Sequence, residues 1–336
     1  MPELFITEYG VSLGKKSERL VVKEKGQVVE EVPFRDITQI TIASSGVSIS
    51  ADVIRECVEC GVQINFLTST GKPYARLTAP SLTGTVITRR EQILAYRDGR
   101  GLYLSKCFVE GKLKNQANLI KYFAKYRRNT DTVLYEDLQA VCRQLENAVL
   151  ELEEIEGENI DEVRPRLFSV EGRAALQYWG AVAMLLRGHV EFTGREHRGA
   201  ADPVNAALNY GYGILYGQIW GAVMLAGLEP FAGFLHTDRP GKPSLVLDLT
   251  EEFRPAVVDR AIVSFFTRGG TIAMEDEKLS QGSRREIARR VLERLDGEEN
   301  YDGKKHKVRT IIQMQSRRLA SYLRGEGKYR PFLAGW

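Results

Sequence analysis

The period of the hydrophobic pattern changes once along this 336-residue chain, near Gly84. Before that point, short β-branched and apolar runs alternate with turn residues, which is typical of strands. The runs are LFITEY, RLVVKEKGQVVEEVP, ITQITIA, VQINFLT and PYARLTA. One segment between them predicts a helix, with Ser50 as its N-cap and Gly61 as its stop. After Gly84 the apolar residues recur at helical spacing.

This change of period predicts two domains of different class. The chain is about twice the usual domain length, so each part is long enough to bury its own core. We therefore predict an α+β protein. A small β-sandwich-like domain covers residues 1–84, and a larger all-α domain covers residues 85–336.

One helical segment, Pro203–Leu228, contains no charged residue and is long enough to cross a bilayer. Its polar side chains argue against that reading, because Asn205, Asn209 and Gln218 would need hydrogen-bond partners inside lipid. The segment is more typical of a core helix enclosed by other helices. We therefore predict no membrane association.

Charge is distributed unevenly, although the formal net charge is only +3. Residues 86–130 contain 11 Lys or Arg against 3 acidic residues, whereas residues 131–162 contain 11 acidic residues against Arg143 alone. The electrostatic field of such charged segments can bind a polyanion. The alternative is that these charges lie on helix faces that are only solvated surface. The basic residues expected to contact DNA phosphates are Arg89, Arg90, Lys112, Lys114, Arg127 and Arg128.

The four cysteines indicate a reducing compartment. Cys57, Cys60, Cys107 and Cys142 are too few and too scattered for a disulfide framework in a chain of this length. The first two form a CxxC in a helical-looking segment without a second metal-binding pair, so packing is favoured over zinc. The N-terminus does not read as a secretory signal. We expect a cytoplasmic protein.

A loop rich in proline and glycine, within FLHTDRPGKPSLVLDLTEEFRP, carries candidate ligands. His236 opens this loop, and Asp248 and Glu251 follow it three residues apart, so they share one face if a helix begins there. Two such carboxylates can bind one ion. The alternative is a helix capping box, which has the same spacing.

Glu171 is the third candidate, because it precedes the otherwise apolar segment AALQYWGAVAMLL. The buried face of such a helix would repel a carboxylate that has no partner. The alternative is the mild preference of acidic residues for helix starts. Two interpretations of Glu171 therefore remain open: it belongs to a metal site together with His236, or it only marks the start of a helix.

These segments resemble the CRISPR-associated endonuclease family Cas1, the spacer-acquisition integrases, over essentially the whole chain. The matching segments, in order, are ITEYGVSLGKKSERLVV, VPFRDITQITI, GVQINFLTSTGKPYARL, EGRAALQYW, DPVNAALNYGYGILY, GFLHTDRPGKPSLVLDLTEEFRP and the basic tail. The resemblance implies an N-terminal β domain suited to dimerisation and a helical catalytic, DNA-binding domain. It also implies a homodimer that assembles with the Cas2 subunit around a double-stranded DNA fragment and a CRISPR repeat.

By this resemblance the metal ligands fall on Glu171, His236 and Glu251. Asp248 is an additional or alternate catalytic ligand, and the sequence leaves the division between Asp248 and Glu251 open. Lys242 matches a basic position of the family's loop. It is expected to face DNA phosphates, as are Arg239 and Arg254.

The residue types agree with that chemistry. Two carboxylates and one imidazole suit Mn²⁺ without excluding Mg²⁺, and a divalent cation gathers the negative charge of phosphodiester transfer. By resemblance, a DNA 3′-hydroxyl attacks the repeat during insertion of a new spacer, and water is the nucleophile in cleavage. The alternatives are a non-catalytic DNA-binding scaffold and a metal hydrolase of small molecules.

Overall fold

The computed structural model describes residues 3–77, 86–196 and 202–335. The first of these stretches contains eight strands, one α-helix and a short 3-10 helix, Phe34–Asp36. The strands and the α-helix are β1 (Glu3–Ile6), β2 (Ser12–Lys16), β3 (Arg19–Glu24), β4 (Gln27–Pro33), β5 (Gln39–Ile42), β6 (Ser48–Ile49), α1 (Ala51–Glu59), β7 (Gln63–Leu67) and β8 (Pro73–Leu77). The predicted boundary between residues 84 and 85 lies outside the described residues.

The eight strands form two four-stranded sheets, in the orders β1-β5-β7-β8 and β4-β3-β2-β6. In the first sheet, β1, β5 and β7 are parallel and β8 is antiparallel to β7. Alternate apolar side chains of both sheets, such as Ile6, Ile40, Leu13 and Leu20, share one buried cluster. This arrangement confirms the β-sandwich-like prediction.

Helix α1 begins and ends where the sequence predicts. The Ser50 side chain accepts a hydrogen bond from the Val53 N–H at 3.3 Å, which satisfies a free donor of the first turn. Gly61 has a φ of +71°, a conformation that glycine adopts without a steric penalty. Because α1 connects β6 to β7, it provides the crossover that a parallel β5-β7 pair requires.

The rest of the described chain is mainly helical, which confirms the predicted fold class. The helices are α2 (Val86–Ala95), α3 (Gly99–Ala124), α4 (Thr132–Glu153), α5 (Ile160–Leu186), α6 (Pro203–Leu225), α7 (Ser244–Arg254), α8 (Arg260–Thr267), α9 (Gln281–Asp296) and α10 (Val308–Leu323). A π-helical turn, Pro255–Asp259, joins α7 to α8.

Two short hairpins interrupt the helices, in a region predicted to be all-α. They pair β9 (Met274–Glu275) with β10 (Lys278–Leu279), and β11 (Glu298–Tyr301) with β12 (Lys304–Lys307). In the second hairpin Asp302 and Gly303 have φ values of 51° and 77°. An Asp-Gly pair with two positive φ angles is the usual two-residue hairpin turn, so the signal was present in the sequence.

The charge-free helix α6 lies in the core, as predicted. Asn205 and Asn209 accept hydrogen bonds from Arg195 at 2.8 and 2.6 Å, and Gln218 donates one to Glu3 at 2.8 Å. A Cβ on Gly213 would collide with the backbone of Gly71, which lies between β7 and β8, so glycine allows α6 to approach the β domain closely. Across the described ranges, none of the helices combines the length and apolar character that a bilayer crossing needs.

The C-terminal segment packs back onto α3 and α7. Asn115 of α3 donates hydrogen bonds to the carbonyls of Glu252 and Phe332, both at 2.8 Å, and accepts one from the Ala334 N–H. The buried Glu252 side chain accepts hydrogen bonds from Tyr329 and from the Phe332 N–H. The Phe332 ring stacks on Phe253 with a centroid distance of 4.9 Å. The chain end therefore supports the helix that carries Glu251.

We expect Phe332→Ala to lower the free energy of unfolding by about 3 kcal/mol, because it empties a buried aromatic site. Leu333→Ala is the matched control, since Phe332 is 1% exposed and its neighbour Leu333 is 42% exposed. Urea unfolding of both variants measures the difference. Equal losses for the two variants would show that the chain end does not anchor α7.

Candidate active site

Glu171 lies about three turns inside α5, not at a helix start. The helix begins after Asn159, whose side chain accepts hydrogen bonds from the N–H groups of Asp161 and Glu162. The helix-start explanation for Glu171 is therefore wrong, because the favourable interaction with the helix dipole is confined to the first turn. The carboxylate needs another partner.

That partner is Lys112 of α3, which also reaches Glu251 of α7. Lys112 Nζ lies 2.5 Å from Glu171 Oε1 and 2.7 Å from Glu251 Oε2. The three side chains are only 12%, 14% and 4% exposed, respectively. The expectation that Lys112 faces outward to contact DNA phosphates is wrong, because its ammonium group is held between two carboxylates. Burial opposes its positive charge, but Glu251 and Glu171 hold the pKa of Lys112 above its ordinary value.

Glu251 is buried and ionised. Burial alone would raise its pKa, but the charges of Arg254, Lys112 and His236 lower the pKa of Glu251 to about 2. Its Oε1 accepts a hydrogen bond from Arg254 Nη1 at 2.8 Å. Its Oε2 is buried and lies 2.7 Å from Lys112 Nζ, and the described residues offer it no other hydrogen-bond donor. A carboxylate oxygen can accept more than one hydrogen bond, so this oxygen has unused acceptor capacity.

His236 is oriented by Asp248. Asp248 Oδ1 lies 2.7 Å from His236 Nδ1 and also accepts the His236 backbone N–H at 2.9 Å. Its Oδ2 accepts the N–H groups of Phe234 and Leu235 at 2.6 and 3.0 Å. Because Nδ1 is engaged with Asp248, Nε2 is the ring nitrogen that would be available to a metal ion. Burial opposes ionisation, but the hydrogen bond and charge of Asp248 hold the pKa of His236 above its usual value.

Asp248 is therefore a positioning residue in this geometry, and the capping-box alternative is wrong. Helix α7 begins at Ser244 after Pro243, whose side chain forms no cap, so Asp248 lies inside the helix. Both of its oxygens accept hydrogen bonds within the protein. The sequence left open whether Asp248 or Glu251 is the third metal ligand, and this geometry favours Glu251.

We expect Asp248→Asn to lower the free energy of unfolding by about 2–3 kcal/mol, because an amide offers one acceptor oxygen and leaves buried donors unsatisfied. Asp137→Asn makes the same chemical change at an exposed position of α4 and is the control. Chemical denaturation of both variants without added metal measures this. A loss no larger than that of Asp137→Asn would contradict the buried network.

Three of the residues predicted to contact DNA, Arg239, Lys242 and Arg254, occupy two different environments. Arg239 is exposed and Lys242 is half-buried on the loop that follows His236. Burial and the neighbouring charge of Arg239 lower the pKa of Lys242. Arg254, in contrast, pairs with Glu251 and lies over the Tyr212 ring at 4.5 Å. Arg239 and Lys242 are placed to contact a phosphate at the surface, whereas the Arg254 guanidinium is already paired with Glu251 inside the site.

A buried network behind Arg254 was not predicted as part of the site. Asp259, in the π-helical turn, accepts hydrogen bonds from Tyr178 at 2.7 Å and from Tyr212. Burial raises the pKa of Asp259, although both tyrosines and Arg254 act against that rise. The site roles of Lys112 and Asp259 were missed because Lys112 is 59 residues from Glu171, and Asp259 is 81 and 47 residues from its partners Tyr178 and Tyr212. No local spacing identifies them.

The residue types present fit a divalent cation, although their side chains are not arranged as a preformed metal site. Within residues 3–77, 86–196 and 202–335, no three His, Cys, Asp or Glu side chains form a ready metal cluster. However, Glu251 Oε2 has unused acceptor capacity, and two carboxylates already converge on one cationic group. Together with His236 Nε2 they would supply an O,O,N donor set of the kind that suits Mn²⁺ or Mg²⁺.

Comparison with known proteins gives a consistent result. The family model described as "CRISPR associated protein Cas1" matches residues 4–292. The chain is 38% identical over 345 residues to "CRISPR-associated endonuclease Cas1 1" of Archaeoglobus fulgidus, covering 99% of both chains. Among solved structures it is similar to "Casposase bound to integration product" (TM-score 0.82, 23% identity, 98% and 93% coverage). It is also similar to "Cas6-RT-Cas1--Cas2 complex" (TM-score 0.79, 16% identity, 98% and 36% coverage).

Proposed function

This chain belongs to the Cas1 family of CRISPR-associated proteins, as the sequence resemblance predicted, and we propose that it is a divalent-metal-dependent DNA endonuclease and integrase. Its reaction is the insertion of new spacers into a CRISPR array. The attacking group is a DNA 3′-hydroxyl, and the bond that breaks is a phosphodiester of the repeat. In cleavage, water takes the place of that hydroxyl.

The observation that supports this proposal best is the meeting of Glu171 and Glu251 on one cation. They come from helices α5 and α7, and their oxygens lie 2.5 and 2.7 Å from the same ammonium nitrogen. Two buried carboxylates placed together are costly for stability unless they serve a cation. An arrangement of this kind, beside an oriented imidazole, is typical of a metal site for phosphoryl transfer.

In this proposal Glu171, His236 and Glu251 hold Mn²⁺ or Mg²⁺, which would stabilise negative charge on the phosphate under attack. Asp248 fixes the His236 ring through Nδ1. Arg254 keeps Glu251 ionised. Arg239 and Lys242 bind the phosphates on either side of the reacting one, because their loop adjoins His236.

We further propose the assembly that the family relationship suggests, a homodimer joined to a Cas2 subunit on double-stranded DNA. One of the similar solved structures is a complex in which Cas1 occurs together with Cas2. The edge strand β4 supports a role of the β domain in dimerisation, since Val28 and Val29 are 51% and 57% exposed on it. The four cysteines are free, which supports a cytoplasmic location.

The non-catalytic scaffold is the weaker alternative, because a scaffold has no need of two largely buried carboxylates on one cation. A metal hydrolase of small molecules would use the same ligands. It would, however, lack the steep loss of DNA affinity with added salt that phosphate contacts cause.

The test is strand transfer by the purified protein with its Cas2 partner, from a short duplex into repeat-containing DNA. We expect joined product in Mn²⁺ and none with excess chelator, while DNA binding persists and weakens steeply with salt. Product formation at an unchanged rate in chelator would contradict the proposal. Metal-dependent hydrolysis of a small substrate without DNA binding would favour the hydrolase.

A further inference from the structure

The short segment 234–236 is held by hydrogen bonds from two helices. On one side, Asp248 of α7 accepts the three backbone N–H groups of the segment. On the other side, Arg164 of α5 donates to the two carbonyl groups that precede His236. Helices α5 and α7 are also the helices that carry the two proposed carboxylate ligands. The segment therefore connects these two helices.

The Arg164 guanidinium uses its donors at separate acceptors. Its Nε donates to the Leu235 carbonyl at 2.9 Å, and its Nη2 donates to the Phe234 carbonyl and to the Tyr96 hydroxyl, both at 3.0 Å. Its Nη1 donates to Asp161. The planar, forked group of arginine can serve acceptors spread in this way, whereas a lysine ammonium is a compact point charge.

Stability alone does not explain why this arginine is buried. Arg164 is only 8% exposed, whereas the side chain of its ion-pair partner Asp161 is 58% exposed. Burying a guanidinium is costly, and a pair with a largely exposed carboxylate offsets little of that cost. What the buried part of the group gains is a fixed geometry at the two carbonyl groups before His236.

One stripe of α5 faces the His236 segment. Arg164, Phe168 and Glu171 occupy positions i, i+4 and i+7 of this helix, which lie on one face. The Phe168 ring makes an edge contact with the His236 ring, with 6.2 Å between centroids. The same face of α5 therefore holds the His236 backbone, touches its ring and presents a carboxylate ligand.

We propose that Arg164 is a positioning residue that sets the distance between His236 and Glu171, a role that rests on the proposed metal site. The two α5 residues are about two turns apart, roughly 10 Å along the helix. Arg164 fixes the His236 backbone relative to α5, while Asp248 fixes that backbone and the imidazole ring relative to α7. With both attachments in place, the imidazole keeps a constant position relative to both carboxylates.

The first experiment measures amide hydrogen exchange of the full-length protein in chelator, by mass spectrometry. Arg164→Lys keeps the charge but removes the fork. Exchange in the peptide that contains 234–236 should become faster by about tenfold or more, while peptides of the β domain and α10 should not change. Arg166→Lys makes the same substitution at an exposed position two residues along α5 and should leave exchange unchanged.

The second experiment measures Mn²⁺ affinity by electron paramagnetic resonance. Arg164→Lys should weaken binding by about tenfold or more, as the loss of an outer partner of a metal-binding histidine does. Arg166→Lys should bind Mn²⁺ as the unchanged protein does. Should Arg164→Lys fail to fold, Tyr96→Phe removes one Arg164 partner and should change both measurements by about threefold in the same direction.

Faster exchange confined to the 234–236 peptide, together with weaker Mn²⁺ binding, would support the positioning role. Three results would overturn it: equal behaviour of Arg164→Lys and Arg166→Lys, faster exchange throughout the protein, or local loosening with unchanged Mn²⁺ affinity. Absence of Mn²⁺ binding by the unchanged protein would contradict the proposed function instead. The exchange experiment would then still decide whether Arg164 holds the segment.

Discussion

Glu251→Gln and Glu171→Gln should each reduce strand transfer by about 10³-fold or more. A glutamine is almost the same size but carries no charge, so the site loses affinity for a cation that contributes several kcal/mol to phosphoryl transfer. Single-turnover transfer in Mn²⁺, with saturating DNA, measures the chemical step. DNA affinity should stay close to that of the unchanged protein, because the proposed DNA contacts are made by surface cations outside the metal site.

The control for these variants is Glu151→Gln, which removes the same charge from an exposed ion pair with Arg173. Its transfer rate should match that of the unchanged protein. Circular dichroism confirms that each variant is folded. Transfer by Glu251→Gln at the control rate would refute the catalytic role of this residue.

Lys112→Met should have the largest effect on stability when no divalent cation is present. It leaves Glu171 and Glu251 facing each other in a buried site, and removing one partner of a buried ion pair costs about 3–5 kcal/mol. Urea unfolding in chelator measures this loss. Adding Mn²⁺ should restore most of it, because the cation replaces the missing ammonium charge.

Lys114→Met is the matched control, two residues along α3. Lys114 pairs with Glu110 at the surface and is 38% exposed, so its loss should change the stability by less than about 1 kcal/mol. A Lys112→Met protein as stable in chelator as this control would show that the two carboxylates do not depend on a cation. A loss that Mn²⁺ does not reverse would mean that the ammonium has a role other than charge neutralisation.

Much of the fold could be predicted, because it depends on local signals. The period of the apolar residues separates the sheets from the helices, and Ser50 and Gly61 mark the ends of α1 through local backbone chemistry. The charge-free segment was placed in the core because its amides needed protein partners, and Asn205 and Asn209 have one in Arg195. The hairpin at Asp302–Gly303 was missed, because short strands in a helical region produce little alternation.

The candidate site was predictable only in part. The residue types of Glu171, His236 and Glu251 suggested metal chemistry, and the family resemblance selected them, but no local pattern shows that they converge. The environment of Glu171 was misjudged, because α5 begins earlier than its apolar stretch suggests. The roles of Lys112 and Asp248 depend on tertiary contacts, which is why one was predicted as a surface cation and the other as a possible ligand.

The central claim is that Glu171, His236 and Glu251 hold one divalent cation. Anomalous diffraction from crystals soaked in manganese is the most direct test. We predict one strong peak per chain, contacted by both carboxylates and by His236 Nε2, with Lys112 displaced from its position between Glu171 and Glu251. A soaked crystal without a peak there, in which Lys112 still bridges the two carboxylates, would contradict the claim.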